Sequence, residues 1–469
     1  MSKPTEVAAS AVFDSRSLRS LSTALAVCWL AGCAVTPPSA PPVGKRHSPA
    51  EIAAYTPAQF STPVASEQGT RKARDEALAA VARASAMTAA GAAGAGGADD
   101  DTIAQALRAV AFYDTQIAAG QRILQAVLTD TVRPLPQRTP EFQRAVRTAA
   151  FSLDAAGSAP FIAPLLDQFT TPRQFAIAAY TLRKADGSAA QRARLHEALA
   201  RRNDRDEPRL IALARALDDD DDATPPIAAR PPLADLLAAP LKPGLPVVFS
   251  LQRRDRRNTG LAVVRDVDGR FVREADGKLF NIPHLALALS GLPGTITLGN
   301  TPQGLFTVVG AGTADNPWIG PTPFLESKIP KEATLAEFAH APAEGEWTEA
   351  RYEAWLPASW RSYAPMKEAW LAGLAGRDEM YSHGTAVDPA PYRGRSYYPG
   401  TPTDGCMMAQ EFWSPDGLLL KSDQLALARA FTRSGVDQGY IVVVEIDDKP
   451  AAVTLAEVLA ELQSAEARR

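Results

Sequence analysis

The chain changes texture once, around residue 218, and that change limits what it can fold into. Asp218 to Asp222 are five consecutive acidic residues, and Ala223-Thr224-Pro225-Pro226 follow. Like charges repel and the prolines forbid helix continuation, so residues 218–245 read as an exposed linker and a domain boundary. A calcium loop would need spaced ligands and a bidentate Glu, which this run lacks. Before it, over 71–217, alanine is abundant, β-branched residues are sparse and apolar positions recur at three and four, the period of helices. Ala149-Ala150-Phe151-Ser152-Leu153 is echoed by Ala178-Ala179-Tyr180-Thr181-Leu182, so a short array of stacked helix pairs and a plain bundle both stay open. After Pro246 the pattern turns to short apolar runs and turn residues. Strands are expected at 246–251, 259–265, 271–273, 295–298, 306–309 and 440–446, the last continuous enough to be central. A Trp- and Glu-rich helical insertion spans 333–378, and a final helix spans 455–467.

The N-terminus reads as an address. Arg16 and Arg19 precede a short apolar stretch that ends in Leu30-Ala31-Gly32-Cys33, similar to the lipobox of bacterial lipoproteins. Residues 1–32 are then a signal peptide, Cys33 the lipidated first residue, and 33–70 a proline-rich extended tether. Ala34 after the cysteine implies sorting to the outer membrane of a Gram-negative cell, the chain facing the periplasm. The net charge of −4 argues against nucleic acid as a partner, because phosphate binding needs surplus Lys and Arg. Five histidines and three cysteines, without metal-ligand spacing, leave no metal site to expect, and no apolar run is long enough to span a membrane.

Once Cys28 leaves with the signal and Cys33 carries lipid, Cys406 is the one free thiol, and an unpaired thiol in an exported chain needs a reason. A buried structural cysteine is the plain alternative. A nucleophilic thiol needs a base. His47 lies in the tether, His196 in an Arg-rich helix with a solvated face, His284 beside an apolar strand as a core or edge residue, and His340 in the insertion, where it could line a cleft. His383, followed by Gly384 and Thr385, is the best base candidate, because Gly384 permits close approach of a substrate backbone. Gly405 frees the backbone N–H groups of the nucleophile turn to meet a developing oxyanion.

Three segments in order, Thr301-Pro302-Gln303-Gly304-Leu305-Phe306, Ser382-His383-Gly384-Thr385 and Thr403-Asp404-Gly405-Cys406, resemble the YkuD-type L,D-transpeptidase domain. The resemblance covers about 246–453. It implies a mostly β catalytic domain over 246–469 and says nothing of the residues before it, so the expected fold is that domain preceded by the all-α domain that the helical period over 71–217 indicates. The activity implied is a cysteine acyltransferase on peptidoglycan stem peptides that needs no cofactor. Cys406 would be the nucleophile and His383 the base. Gly405, Asp404, Thr403, Gly384 and Thr385 would position substrate and oxyanion, and Arg393, Arg395 and Tyr397 would meet substrate carboxylates. The sequence departs from the family pattern where Asp404 replaces the usual His, where Met408 replaces a polar residue, and where His383 lies 23 residues before Cys406. Asp404 has three readings: it orients His383, binds a substrate amine, or marks lost catalysis. A catalytically degenerate peptidoglycan-binding scaffold and a hydrolase using the same cysteine are the rival functions. The helical region is a candidate docking site for another envelope protein.

Overall fold

A computed structural model of the chain describes residues 43–90, 97–218 and 230–468. Cys28, Cys33, the leader and most of the acidic linker lie outside the described residues. Eleven strands are present: β1 (Val43–Arg46), β2 (Val247–Arg253), β3 (Gly260–Arg265), β4 (Ile282–Leu285), β5 (Gly304–Ala314), β6 (Phe324–Lys328), β7 (Ser382–His383), β8 (Met407–Ala409), β9 (Glu411–Trp413), β10 (Leu419–Ser422) and β11 (Gly439–Asp447).

Eight of them close on themselves in the order β5-β11-β2-β3-β4-β8-β7-β6, with β6 returning to β5. Closure depends on the length of β5. Residues 304–308 pair with β11 along one edge (Tyr440↔Thr307, Ile441↔Phe306), and residues 307–312 pair with β6 along the other, with a register shift between Val308 and Gly310. A bulged strand bends and twists, which lets one strand turn the corner of a barrel. β11 is central, as its continuous apolar run predicts: it lies parallel to β2 and antiparallel to β5.

Side chains alternate across this wall. One set, with Val248, Ala262, Ile282, Phe306, Leu325, Met407 and Ile441, points to a cluster completed by Leu427, Ala428 and Phe431 of the helix Asp423–Thr432, which plugs the barrel. The opposite set, with Phe249, Leu305 and Val442, is covered by the helices Leu233–Ala238 and Leu455–Ala467 and by Trp360 and Trp370 of the insertion.

The remaining outer wall carries the helical array. Leu285, Leu287, Met408, Tyr392 and Tyr397 share one apolar core with Leu107, Ile123, Val146, Phe175 and Leu213. Thr139 and Thr171 cap the helices Pro140–Leu153 and Pro172–Ala185, each with proline at the first helical position.

The expected architecture, an all-α domain followed by a mostly β YkuD-type domain, is therefore corrected. Fifteen α-helices surround and fill a closed eight-stranded barrel among the described residues, and the array packs directly on the barrel wall. Hydrophobic periodicity marks which face of a helix is buried but not what buries it. The strands that close the barrel, β4, β7 and β8, are too short to carry a period. Part of the expected tether is also packed. β1 pairs with β5, Ser48 caps the helix Pro49–Ala54, and Ile52 of that helix is buried in the barrel cluster. Its described prolines Pro49, Pro57 and Pro63 stand at the first position of helical turns, where a missing N–H costs nothing.

Candidate functional site

β7 and β8 run parallel, with Ser382 beside Met407 and His383 beside Met408. Cys406, one residue before β8, lies beside Tyr381. By strand alternation the Cys406 and His383 side chains fall on one face of adjoining strands, two positions apart and without a hydrogen bond between them. Ser382 points the other way into the barrel, where its hydroxyl meets His284 Nε2 at 3.1 Å.

The thiol is half-buried. The Tyr381 N–H donates to Sγ at 3.4 Å, and the S–H donates to the Glu379 carbonyl at 3.4 Å. Burial pushes the thiol up to about 12, reinforced by Asp404 and Glu379 and opposed by the Tyr381 N–H and Arg377. The resting group is thus a thiol. His383 is buried, and burial lowers it to about 4, so the ring is neutral at physiological pH. Its Nδ1–H donates to the Gly384 carbonyl, which fixes the tautomer and leaves the Nε2 lone pair as the acceptor. A thiol, a neutral imidazole and a carbonyl that orients it are the parts of a nucleophile–base–orienter set.

The turn carrying Cys406 is held from three sides. The Thr403 hydroxyl accepts from the Gly405 N–H at 3.0 Å and donates to the Cys406 carbonyl at 2.8 Å. The Thr301 hydroxyl donates to the Gly405 carbonyl at 2.9 Å. Buried Arg377 donates to the carbonyls of Gly294, Asn300 (2.8 Å) and Gly299 (3.1 Å). Gly405 has φ +125°, and a Cβ there would overlap Arg377 and stand 2.8 Å from the Gly299 oxygen. The Gly405 N–H is thus spent inside the turn. The Cys406 N–H has no hydrogen-bond partner among the described residues and is the donor left for an oxyanion. The three segments that carried the family resemblance meet here.

Glycine at 384 answers a second close approach. A Cβ would overlap the carboxyl of Glu411, which is buried and accepts from the Thr322 (2.6 Å) and Ser422 (2.7 Å) hydroxyls. Burial pushes Glu411 up to about 8, so it is a neutral acid at pH 7. Thr385 lies in the same wall, its hydroxyl 3.2 Å from that of Thr401 and accepting from the Val387 N–H.

The other expected residues are placed differently. Asp404 pairs with Arg108 of the helix Gly97–Tyr113 at 3.2 Å, so the Gly384 carbonyl, not Asp404, orients His383. Arg395 pairs with Asp114, and Tyr397 packs against Tyr392, whose hydroxyl donates to the Phe112 carbonyl. That loop fastens the helical array to the barrel, and Arg393 within it is exposed. The remaining histidines stand apart from the thiol. His47 is bound to the Tyr55 hydroxyl, His196 to Asp218, His340 to Thr307, and His284 to Ser250 inside the barrel. Arg377, Glu379, Tyr381 and Glu411 were not legible beforehand, because nothing in their local sequence marks them. No group of residues able to hold a metal and no helix able to cross a membrane occurs among the described residues. The chain matches no protein-family model, no curated protein and no solved structure.

Proposed function

We propose that the chain is a cysteine acyltransferase of the L,D-transpeptidase type, acting on peptidoglycan stem peptides. The observation that carries this reading is the tautomer-fixed, neutral His383 on the strand beside the Cys406 thiol. A thiol with a pKa near 12 is not a standing nucleophile, so attack is coupled to proton removal. As Sγ adds to the carbonyl that follows the diaminopimelyl L-centre, its proton passes to His383 Nε2 and the oxyanion takes the Cys406 N–H. Collapse breaks the C–N bond, the imidazolium returns the proton to the departing D-amino acid, and a thioester remains. An acceptor amine, deprotonated by His383, then displaces the thiol.

A carbapenem tests the site, because its strained amide traps a competent thiol as an acyl-enzyme. One adduct per chain is expected on Cys406. Cys406→Ala abolishes it, and His383→Ala slows it by ~10²–10⁴-fold. An accessible, reduced Cys406 that forms no adduct refutes the enzyme. It would favour the binding-scaffold reading, which the raised thiol pKa and the Asp404–Arg108 pair also suit. Product analysis with and without an acceptor peptide separates transfer from hydrolysis.

Export and lipid attachment at Cys33, with the chain facing the periplasm from the outer membrane, belong to the same reading and rest on Leu30-Ala31-Gly32-Cys33. Cys33→Ser should accumulate as unprocessed precursor; a wild-type chain recovered with Met1 intact and without lipid contradicts this.

A further inference from the structure

Four successively packed helices each bring one arginine toward the Cys406 turn. Arg108 comes from Gly97–Tyr113, Arg144 from Pro140–Leu153, Arg173 from Pro172–Ala185 and Arg209 from Pro208–Asp218. Arg108 holds Asp404 at 3.2 Å, and Arg209 pairs with Glu207 and donates to the Ala375 carbonyl, two residues before Arg377. Between them, Arg144 and Arg173 make no hydrogen bond or ion pair among the described residues, and the Arg173 Nε is buried without a partner. Arg144 lies within electrostatic reach of Arg108, Asp404 and Glu141, and Arg173 of three cations, Arg144, Arg209 and Arg377, with no acid among them. Burial holds both guanidiniums below their ordinary values, helped by Arg108 and opposed by Asp404 and Glu141 at Arg144, and helped by all three cations at Arg173, which falls to about 10; both stay charged at neutral pH.

This arrangement works against the fold. Unpaired, partly desolvated like charges repel one another. Arg173 and Arg209 also stand in the first turns of their helices, where the macrodipole disfavours cations. Two cations inside this file, Arg144 and Arg173, that no ion pair or hydrogen bond among the described residues engages are suited to an anion from outside.

We infer that Arg144 and Arg173, flanked by Arg108 and Arg209, form a carboxylate-recognition site by which the helical array selects an anionic acyl donor for Cys406. The inference rests on Cys406 being the acylated nucleophile. It assigns substrate carboxylate binding to the array rather than to the Arg393–Tyr397 loop, and Asp404 to holding Arg108 at the rim.

The test needs no peptidoglycan. Alkylation of Cys406 in the full chain by iodoacetate and by iodoacetamide is followed at pH 8.5 by mass spectrometry of the Cys406 peptide, with glutathione as reference. An anion guided by the arginines should raise the iodoacetate-to-iodoacetamide rate ratio about tenfold over glutathione. Arg144→Gln and Arg173→Gln should return the ratio toward glutathione and raise the melting temperature; any change in thiolate fraction is shared by the two reagents and cancels in the ratio. A ratio equal to glutathione, a ratio unmoved by both substitutions, or a Cys406 that reacts with neither reagent overturns the site. A second arm measures binding of the stem tetrapeptide and its C-terminal amide to Cys406→Ala. Binding of the acid at least fivefold tighter than the amide, lost in the arginine variants, supports the inference. Equal binding of acid and amide overturns it while leaving the acyltransferase intact. A guided iodoacetate with no tetrapeptide binding leaves the anion site standing and removes the stem-peptide substrate.

Discussion

Replacing Glu411 with Gln should uncouple the stability of this protein from pH in a defined window. In the fold the Glu411 carboxyl keeps its proton up to about pH 8, because it is buried beside Gly384, with Asp423 as the nearby acid. In the unfolded chain it ionises near its ordinary value of 4.5. The folded state therefore binds more protons than the unfolded state between those values. Its contribution is fully present below about pH 4.5 and is lost as pH rises through 8. At about 1.4 kcal/mol per pH unit, the full loss is about 5 kcal/mol for this buried group. Gln at 411 keeps an oxygen to accept from Thr322 and Ser422, places an NH₂ where the acid carried its proton, and does not titrate. Wild type and Glu411→Gln should melt together at pH 5, and the variant should gain steadily above pH 6. At about 1–2 °C per kcal/mol for a chain of this size, the gap should reach about 5–8 °C by pH 9. Paired thermal melts from pH 5 to pH 9 measure it, and taking the difference removes groups such as Glu332 and Glu379 that titrate in both chains. Parallel melting curves across that range would show that Glu411 is not a neutral acid in the fold.

Two further outcomes follow from the same wall of the barrel. Gly384→Ala drives a Cβ into the Glu411 carboxyl and should cost about 1–3 kcal/mol while abolishing carbapenem acylation, because it displaces the carbonyl that orients His383; a variant that melts and acylates like wild type refutes the packing. Alkylation of Cys406 by neutral iodoacetamide should rise about tenfold per pH unit from pH 7 to pH 10, as required of a thiol pushed up to about 12, and a plateau below pH 9 would show a standing thiolate instead.

Local chemistry was legible from the residues alone. Alanine-rich sequence at helical period becomes the helices from Glu67–Ala89 to Pro208–Asp218, with Thr-Pro starts at Pro140 and Pro172. Apolar runs become β2, β3, β5 and β11, and the final helix spans Leu455–Ala467 as its pattern predicts. Cys406, His383 and the Thr301 segment could be singled out because reactive thiols, bases and glycine turns leave a composition signal at their own positions. Tertiary structure decided the rest. Residues 295–298 form a turn instead of a strand: the Ile296 N–H donates to the Pro293 carbonyl and the Gly299 N–H to the Ile296 carbonyl, while Glu368 and Arg377 brace the flanking Gly294, Gly299 and Gln303. Barrel closure depends on β5 serving two neighbours across a bulge and on strands of two to four residues that no period reveals. Asp404 belongs to Arg108, 296 residues away, and Tyr392 reaches the Phe112 carbonyl across 280 residues. A pairing partner is a property of where the chain returns in space, and that is set by which apolar faces find each other, so it cannot be read at either residue alone.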